Sequence, residues 1–496
     1  MTTLTAPSTP DTSTHGAERP GSPLGATITF VIAVSMAIAI LFFDLPRPLI
    51  GTFAVLISIA LILIKVHTGI AMILGGVIGL YGVGGWRVVA GTFQDTVYNS
   101  VASWQLSVIP MFILMGILLW RGRITDGAYI AARQWLGRFP GGIAVATTVA
   151  GAGLASTSGS SVGISYALGR IAIPEMLRSG YKPTLATGVV ASVGTLGQLM
   201  PPAILLVIYA GIAETSVGTQ LLAAIVPALM LALAFIFTVV IWVLLQPSVA
   251  PRTDMAGVTW TTRFRSLIKI VPLTIVIICV LGGLFSGVFT ATEAGAAGVF
   301  VALAVAWITA GKGKRGIKRW SEVVGGSLMQ TAGSTASIFL LMMGVLVLNR
   351  IVALSQIPQM LSAWLTEADL DRTTLLLVLL VVYLLLGTAL EPLAMMLLTV
   401  PVLIVPLSAV GVDMVWFGIF IVVLAEIAIL SPPIGTIVFV VLKIAQEKAV
   451  NLGQKVTLNH VFIGVTPFML AGIAICVILI FFPDIVTWLP EISSVK

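Results

Sequence analysis

Apolar runs long enough to cross a bilayer recur from Ile28 to Ile480; about 20 residues suffice for a helix to traverse the hydrocarbon core. With 58% hydrophobic and 9% charged residues, against roughly a quarter charged in soluble domains, the chain has too little polar surface to face water. In lipid it needs none. The sequence therefore predicts an all-α polytopic membrane protein. Spans are expected near 27–43, 50–65, 69–85, 104–120, 184–210, 222–245, 266–286, 290–310, 325–349, 415–442 and 459–482, about 11 in all.

The formal charge of +7 does not indicate nucleic acid, because the basic residues sit in short clusters between apolar runs, as cytoplasmic loops do. Cys279 and Cys476 each lie inside an apolar run, which reads as two buried thiols. The first 24 residues are rich in Thr, Ser, Pro and Gly and read as a disordered cytoplasmic tail. No small-residue cleavage site follows the first apolar stretch, so that stretch is expected to stay as a helix.

Basic clusters orient the chain. Lys312, Lys314, Arg315, Lys318 and Arg319 form one, and Arg252, Arg263, Arg265 and Lys269 another; two spans separate them, so both fit the cytoplasmic side. Stretch 141–169 lies between Arg121, Arg123, Arg133 and Arg138 on one side and Arg170, Arg178 and Lys182 on the other. Both its ends are thus inside. Its centre, GAGLASTSGSSVG, is too polar for a lipid-facing helix, which predicts a re-entrant hairpin, tolerable only where protein or a wet cavity surrounds it. Stretch 373–410 mirrors this: its flanks hold Glu367, Asp369, Asp371 and Asp413, with Arg372 the only base, and GTALEP interrupts it. It is expected to enter from the periplasm. The N-terminus then lies inside and the C-terminus outside.

Each hairpin precedes a span broken by a double proline, Pro201-Pro202 and Pro432-Pro433. From Ser160 to Pro201 is 41 positions, and from Glu391 to Pro432 is also 41. The order span, span, hairpin, broken span, span fits 69–245 and again 290–482 with opposite starting sides, an inverted-topology repeat of the kind in which transporters bind substrate and ions where broken helices meet. Around the repeats fall N-terminal helices at 25–68, a linker with a connecting helix at 246–289, and a tail at 483–496. Two short amphipathic stretches, 124–139 and 351–367, each lead into a hairpin and read as interfacial helices, candidate arms that brace it.

The runs ASTSGSSVGISYALGRIAIPEMLRSGY, GTLGQLMPPAILLVIYAG, FSGVFTATEAGAAGVF, GTALEPLAMMLLTVPVLIVPL and EIAILSPPIGTIVFVV resemble successive signature segments of the large permease of tripartite ATP-independent periplasmic (TRAP) transporters, the dicarboxylate-type large subunit. The resemblance covers about residues 50–485. It implies an elevator-type ion-transporter fold in a bacterial inner membrane, and sodium-driven uptake of a small organic anion. It also implies a separate small four-helix membrane subunit and a soluble periplasmic binding protein as partners. No Walker-type phosphate loop occurs. Where the family commonly has Asp-Pro and Thr-Pro-Pro, this chain has Glu391-Pro392 and Ser431-Pro432-Pro433. The alternative reading is a stand-alone sodium-coupled carrier for dicarboxylates or other anions; no nucleophile–base constellation suggests an enzyme.

Sodium, the coupling ion the resemblance implies, needs several hard oxygen ligands, and unwound helices free backbone carbonyls to supply them. The repeat predicts a first ion site from Ser158, Ser160 and Ser161 with Gly194, Thr195, Gly197, Met200 and Pro202. A second joins Gly387, Thr388 and Glu391 to Ala428, Ser431 and Pro433. Ser156, Thr157 and Ser158 are candidate donors to an anionic substrate beside half-helix N-termini, or bond back to their own helix. Intramembrane acids invite functional readings, and Glu391 and Glu426 are the two to test. Glu293 is expected to cap a helix and Glu175 to pair with Arg170 or Arg178 at the interface. His15, His67 and His460 lack metal-ligand spacing.

Overall fold

The structure is a computed structural model that describes residues 23–98, 102, 104–122, 126–251, 259–310, 314–368, 371–388, 390–433 and 435–493. The tail 1–24, except its last two residues, lies outside them, as do Ala389 and the side chains of Thr157 and Ser158. Among the described residues there is helix and no strand. Eight helices among these residues are long and apolar enough to cross a membrane, and shorter apolar helices lie between them.

The N-terminal helices are α1 (Pro23–Phe42), α2 (Arg47–Leu63) and α3 (Thr68–Gly91), followed by α4 (Val108–Arg121). A short amphipathic helix α5 (Asp126–Leu136) leads into α6 (Gly142–Ser158) and α7 (Ser161–Arg178). These two pack together across a two-residue turn whose Gly159 has φ +56°, a left-handed conformation that costs glycine nothing. Ser160 caps α7, its Oγ accepting from the Gly163 amide at 3.2 Å. Two helices joined by a short turn thus occupy the stretch 141–169, and the second runs on to Arg178.

The next span is interrupted as predicted. α8 (Pro183–Gly194) passes through a tight turn at Thr195–Gln198, and α9 (Ile204–Ile212) resumes beyond Pro201-Pro202; α10 (Ile225–Leu245) completes this half. Within the linker lies α11 (Trp260–Leu267), and after it come α12 (Ala291–Ala310), α13 (Lys314–Leu354) and α14 (Ile357–Glu367). The second pair is α15 (Arg372–Leu386) with α16 (Pro392–Ala409), followed by the broken span α17 (Met414–Ala428) and α18 (Thr436–Ala445), and by α19 (Leu458–Phe481).

Two boundaries differ from expectation. α13 is 41 residues long, so the span placed at 325–349 extends at both ends, and Ile351 and Val352, assigned to the amphipathic arm, are buried in its last turn. The arm starts only after Gln356, whose φ of +60° ends the run. Glu293 behaves as a cap: its carboxylate accepts from the Thr290 amide at 2.8 Å and from the Thr290 hydroxyl at 2.9 Å. Glu175 instead pairs with Arg133 of α5 at 2.8 Å, and Arg170 pairs with Glu447 at 2.9 Å. Arg170 and Arg178 share a helix with Glu175 and do not reach it.

Helix contacts fall into matched sets. α3 packs on α13 and α4 on α12, while α4 and α13 touch each other. α9 packs against α16 and α17, and α18 against α7 and α8. Each half-helix beyond a double proline therefore lies on the hairpin and broken helix of the opposite half. Tyr209 fixes one such contact, its hydroxyl donating to the Met414 carbonyl at 2.6 Å with the ring fully buried. Gln220 Nε2 adds a bond to the Val415 carbonyl at 3.1 Å. The arms differ: α5 packs on α6, the first helix of its pair, whereas α14 packs on α16, the second. Tyr209→Phe should lower stability by about 1 kcal/mol, a typical net hydrogen bond, read as a lower thermal midpoint of the detergent-solubilised chain.

Candidate functional site

The first break and the first hairpin tip meet through backbone. A Cβ placed on Gly197 would lie 2.9 Å from the Ser160 carbonyl oxygen, and one on Gly194 would lie 3.0 Å from that of Ser161 and 2.0 Å from Ser165 Oγ. Only hydrogen at these positions lets the turn after α8 approach the N-terminus of α7. Thr195 Oγ1 donates to the Ser192 carbonyl at 2.6 Å; Pro202 is buried and Met200 partly so. The structure therefore gathers Ser160, Ser161, Gly194 and Gly197 at one place, a turn rich in carbonyl oxygen beside a helix N-terminus. Thr195 holds the turn's own backbone.

The second break repeats the approach. A Cβ on Gly387 would lie 2.8 Å from the Ala428 carbonyl oxygen and 2.3 Å from the Ala428 Cβ. Ser431 Oγ lies 2.5 Å from the Ala428 carbonyl and 3.1 Å from that of Leu384. Gly387, Ala428 and Ser431 thus come together. Thr388 Oγ1 donates to the Leu385 carbonyl at 2.8 Å, and Pro433 is exposed.

Glu391 stands at the N-terminal end of α16 without capping it. It faces a cavity of about 360 Å³ whose walls include Lys65, His67, Ser337, Leu390 and Thr436. His67 Nε2 lies 3.3 Å from Ser337 Oγ on α13. The cavity therefore separates the second hairpin tip from the helices at the N-terminal end of the chain. Ser156 is not among its walls; its hydroxyl bonds back to the Gly153 carbonyl at 2.8 Å, the alternative its position in a helix allowed.

One residue connects the two halves. Glu426 of α17 is fully buried, and Ser161 Oγ at the start of α7 donates to its Oε2 at 2.7 Å. Sequence singled out Glu426 as an acid inside an apolar run but did not pair it with the first hairpin, because nothing local relates positions 265 residues apart. His460 closes a capping box with Thr457, and no group of three or more potential metal-binding His, Cys, Asp or Glu side chains occurs among the described residues.

The family described as "Tripartite ATP-independent periplasmic transporter, DctM component" matches residues 55–485. The chain belongs to this family. It is 31% identical to the C4-dicarboxylate TRAP transporter large permease protein DctM of Pseudomonas aeruginosa, over 80% of this chain and 87% of that protein. It is 29% identical to the sialic acid TRAP transporter large permease SiaM of Vibrio cholerae, over 79% and 88%. With the isethionate TRAP transporter permease DctMQ of Oleidesulfovibrio alaskensis, also 29% identical, the match spans 72% of this chain but 55% of that longer protein. Among solved structures, the YdaH transporter of Alcanivorax borkumensis superposes with a TM-score of 0.55 at 14% identity, over 82% of this chain and 90% of that one. The large permease thus shares its fold with a distant transporter.

The packing at the second break makes a matched pair of substitutions informative. In the permease, Gly387→Ala should force the tip off Ala428 and cost about 1–3 kcal/mol, as overpacking does. Gly333→Ala, where no atom lies within 4 Å of the added methyl, should leave the thermal midpoint unchanged or slightly raised.

Proposed function

We propose that this large TRAP permease takes up a small organic anion, delivered by a soluble periplasmic binding protein, at the expense of a sodium gradient and without ATP. The observation that carries the reading is that each hairpin tip seats against the break of the following span, so that two oxygen-rich turns arise in one core, as inverted-repeat carriers require. The matched contacts of α3 with α13 and α4 with α12, and of α9 and α18 with the opposite halves, support two inverted repeats over 69–245 and 290–482.

On this reading Ser160, Ser161, Gly194 and Gly197 bind one sodium ion, with Ser158, Thr195, Met200 and Pro202 completing the turn. Gly387, Thr388, Glu391, Ala428, Ser431 and Pro433 form the second site. The anion reaches the N-terminus of α7, whose dipole favours negative charge, next to Ser156, Thr157 and Ser158 at the end of α6. Hairpins and broken spans move as an elevator against α1–α4, α12 and α13, with α5 and α14 bracing the hairpins. The N-terminus is cytoplasmic and the C-terminus periplasmic in a bacterial inner membrane. A small four-helix subunit is a separate chain, in keeping with the greater length of DctMQ.

Uptake into vesicles decides this. With the cognate binding protein and small subunit present, an inward sodium gradient should drive uptake of the binding protein's ligand, and Ser161→Phe or Thr388→Phe should abolish it with membrane content intact. Uptake by the large chain alone would favour a stand-alone carrier, and uptake indifferent to sodium would defeat the ion sites.

A further inference from the structure

Glu426 sits in a stretch where every residue from Trp416 to Ala428 is buried. Its Oε2 accepts from Ser161, and its Oε1, equally shielded from solvent, has no hydrogen-bond partner. The ion pairs found among the described residues, Arg133–Glu175 and Arg170–Glu447, do not involve it. A carboxylate held this way costs several kcal/mol unless another charge offsets it. The N-terminal dipole of α7 offsets only part of this cost.

The first ion site has the complementary deficit. Its other oxygens, the hydroxyl of Ser161 and the carbonyls of Ser160 and Ser161, which also accept from the Ile164 amide at 3.1 Å and the Ser165 hydroxyl at 2.9 Å, are neutral. By donating its proton to Glu426, Ser161 Oγ keeps lone pairs available for a cation, as ligands oriented by an outer carboxylate do. Glu426 lies six positions before Pro432; Thr195 lies six before Pro201 and bonds its own turn. The acid thus belongs to the second half but meets the hairpin tip of the first.

We propose that Glu426 completes the first cation site from across the repeat boundary, its Oε1 acting as the anionic ligand for sodium and its Oε2 holding Ser161 in place. This rests on the sodium-coupled reading above. It makes the loaded site electrically neutral, and it makes ion binding depend on contact between the two halves.

The test is sodium binding to the purified full-length chain in lipid nanodiscs, read with radioactive sodium and by sodium-induced thermal stabilisation. Glu426→Gln keeps an acceptor for Ser161 and removes the charge. It should weaken one sodium site at least tenfold, and Glu426→Asp should recover part of the loss. Wild-type affinity and stoichiometry in Glu426→Gln would overturn the assignment, as would a Glu426→Asp chain no better than Glu426→Gln. Should Glu426→Gln fail to fold, Ser161→Ala decides: weakened binding supports the bridged site and unchanged binding overturns it. A wild-type chain that binds no sodium would instead overturn the coupling reading itself, and this assignment with it.

Discussion

A helix that stops partway through a bilayer leaves carbonyls and amides that lipid cannot satisfy, and this constraint shapes the centre of the molecule. The chain breaks two spans at double prolines and brings a hairpin tip to each break. The glycines at the contacts, Gly197 facing Ser160 and Gly387 facing Ala428, let the two turns approach more closely than any side chain at these positions would allow. Backbone and hydroxyl oxygens thereby gather in protein-lined turns, where the Ser160 and Ala428 carbonyls still accept from their own helix or turn. The polarity that would be a defect in a plain span is enclosed by protein.

The same constraint explains why the halves interlock. A half-helix of nine or ten residues, such as α9 or α18, is too short to cross alone and must be held by neighbours. α9 is held by Tyr209 and its contacts with α16 and α17; α18 lies on α7 and α8, with Arg170 and Glu447 pairing beyond its end. Neither half can seat its broken span without the other. The Ser161–Glu426 bond belongs to this logic, a polar link made where two incomplete structures complete each other.

Much of this was legible in the sequence for physical reasons. Charge at the ends of 141–169 and 373–410 and polarity at their centres marked stretches that each fold as two helices joined by a turn, α7 continuing to Arg178. The double prolines located the breaks, since proline cannot continue a helix's hydrogen bonding. What escaped was partnership. Glu175 turned to Arg133 on another helix, and Glu426 to a serine from the other half, because side-chain neighbours across a fold leave no periodic trace. The arm boundary was misplaced for a simpler reason: Ile351 and Val352 are as apolar in a span's last turn as on an amphipathic face, and only the left-handed Gln356 separates the two cases.

The halves are matched in contact but not in chemistry. The acids Glu391 and Glu426 both come from the second half; the positions that correspond through the 41-residue spacing hold Ser160 and Thr195 in the first. Glu391 faces the cavity whose walls include Lys65 and His67, whereas Glu426 is shut away with one hydroxyl. A carboxylate at a boundary between moving parts changes neighbours when those parts slide. One sealed inside the core keeps its surroundings through the motion and needs a partner that travels with it. On the proposed elevator reading, Glu426 is therefore the acid suited to an ion carried along with the core.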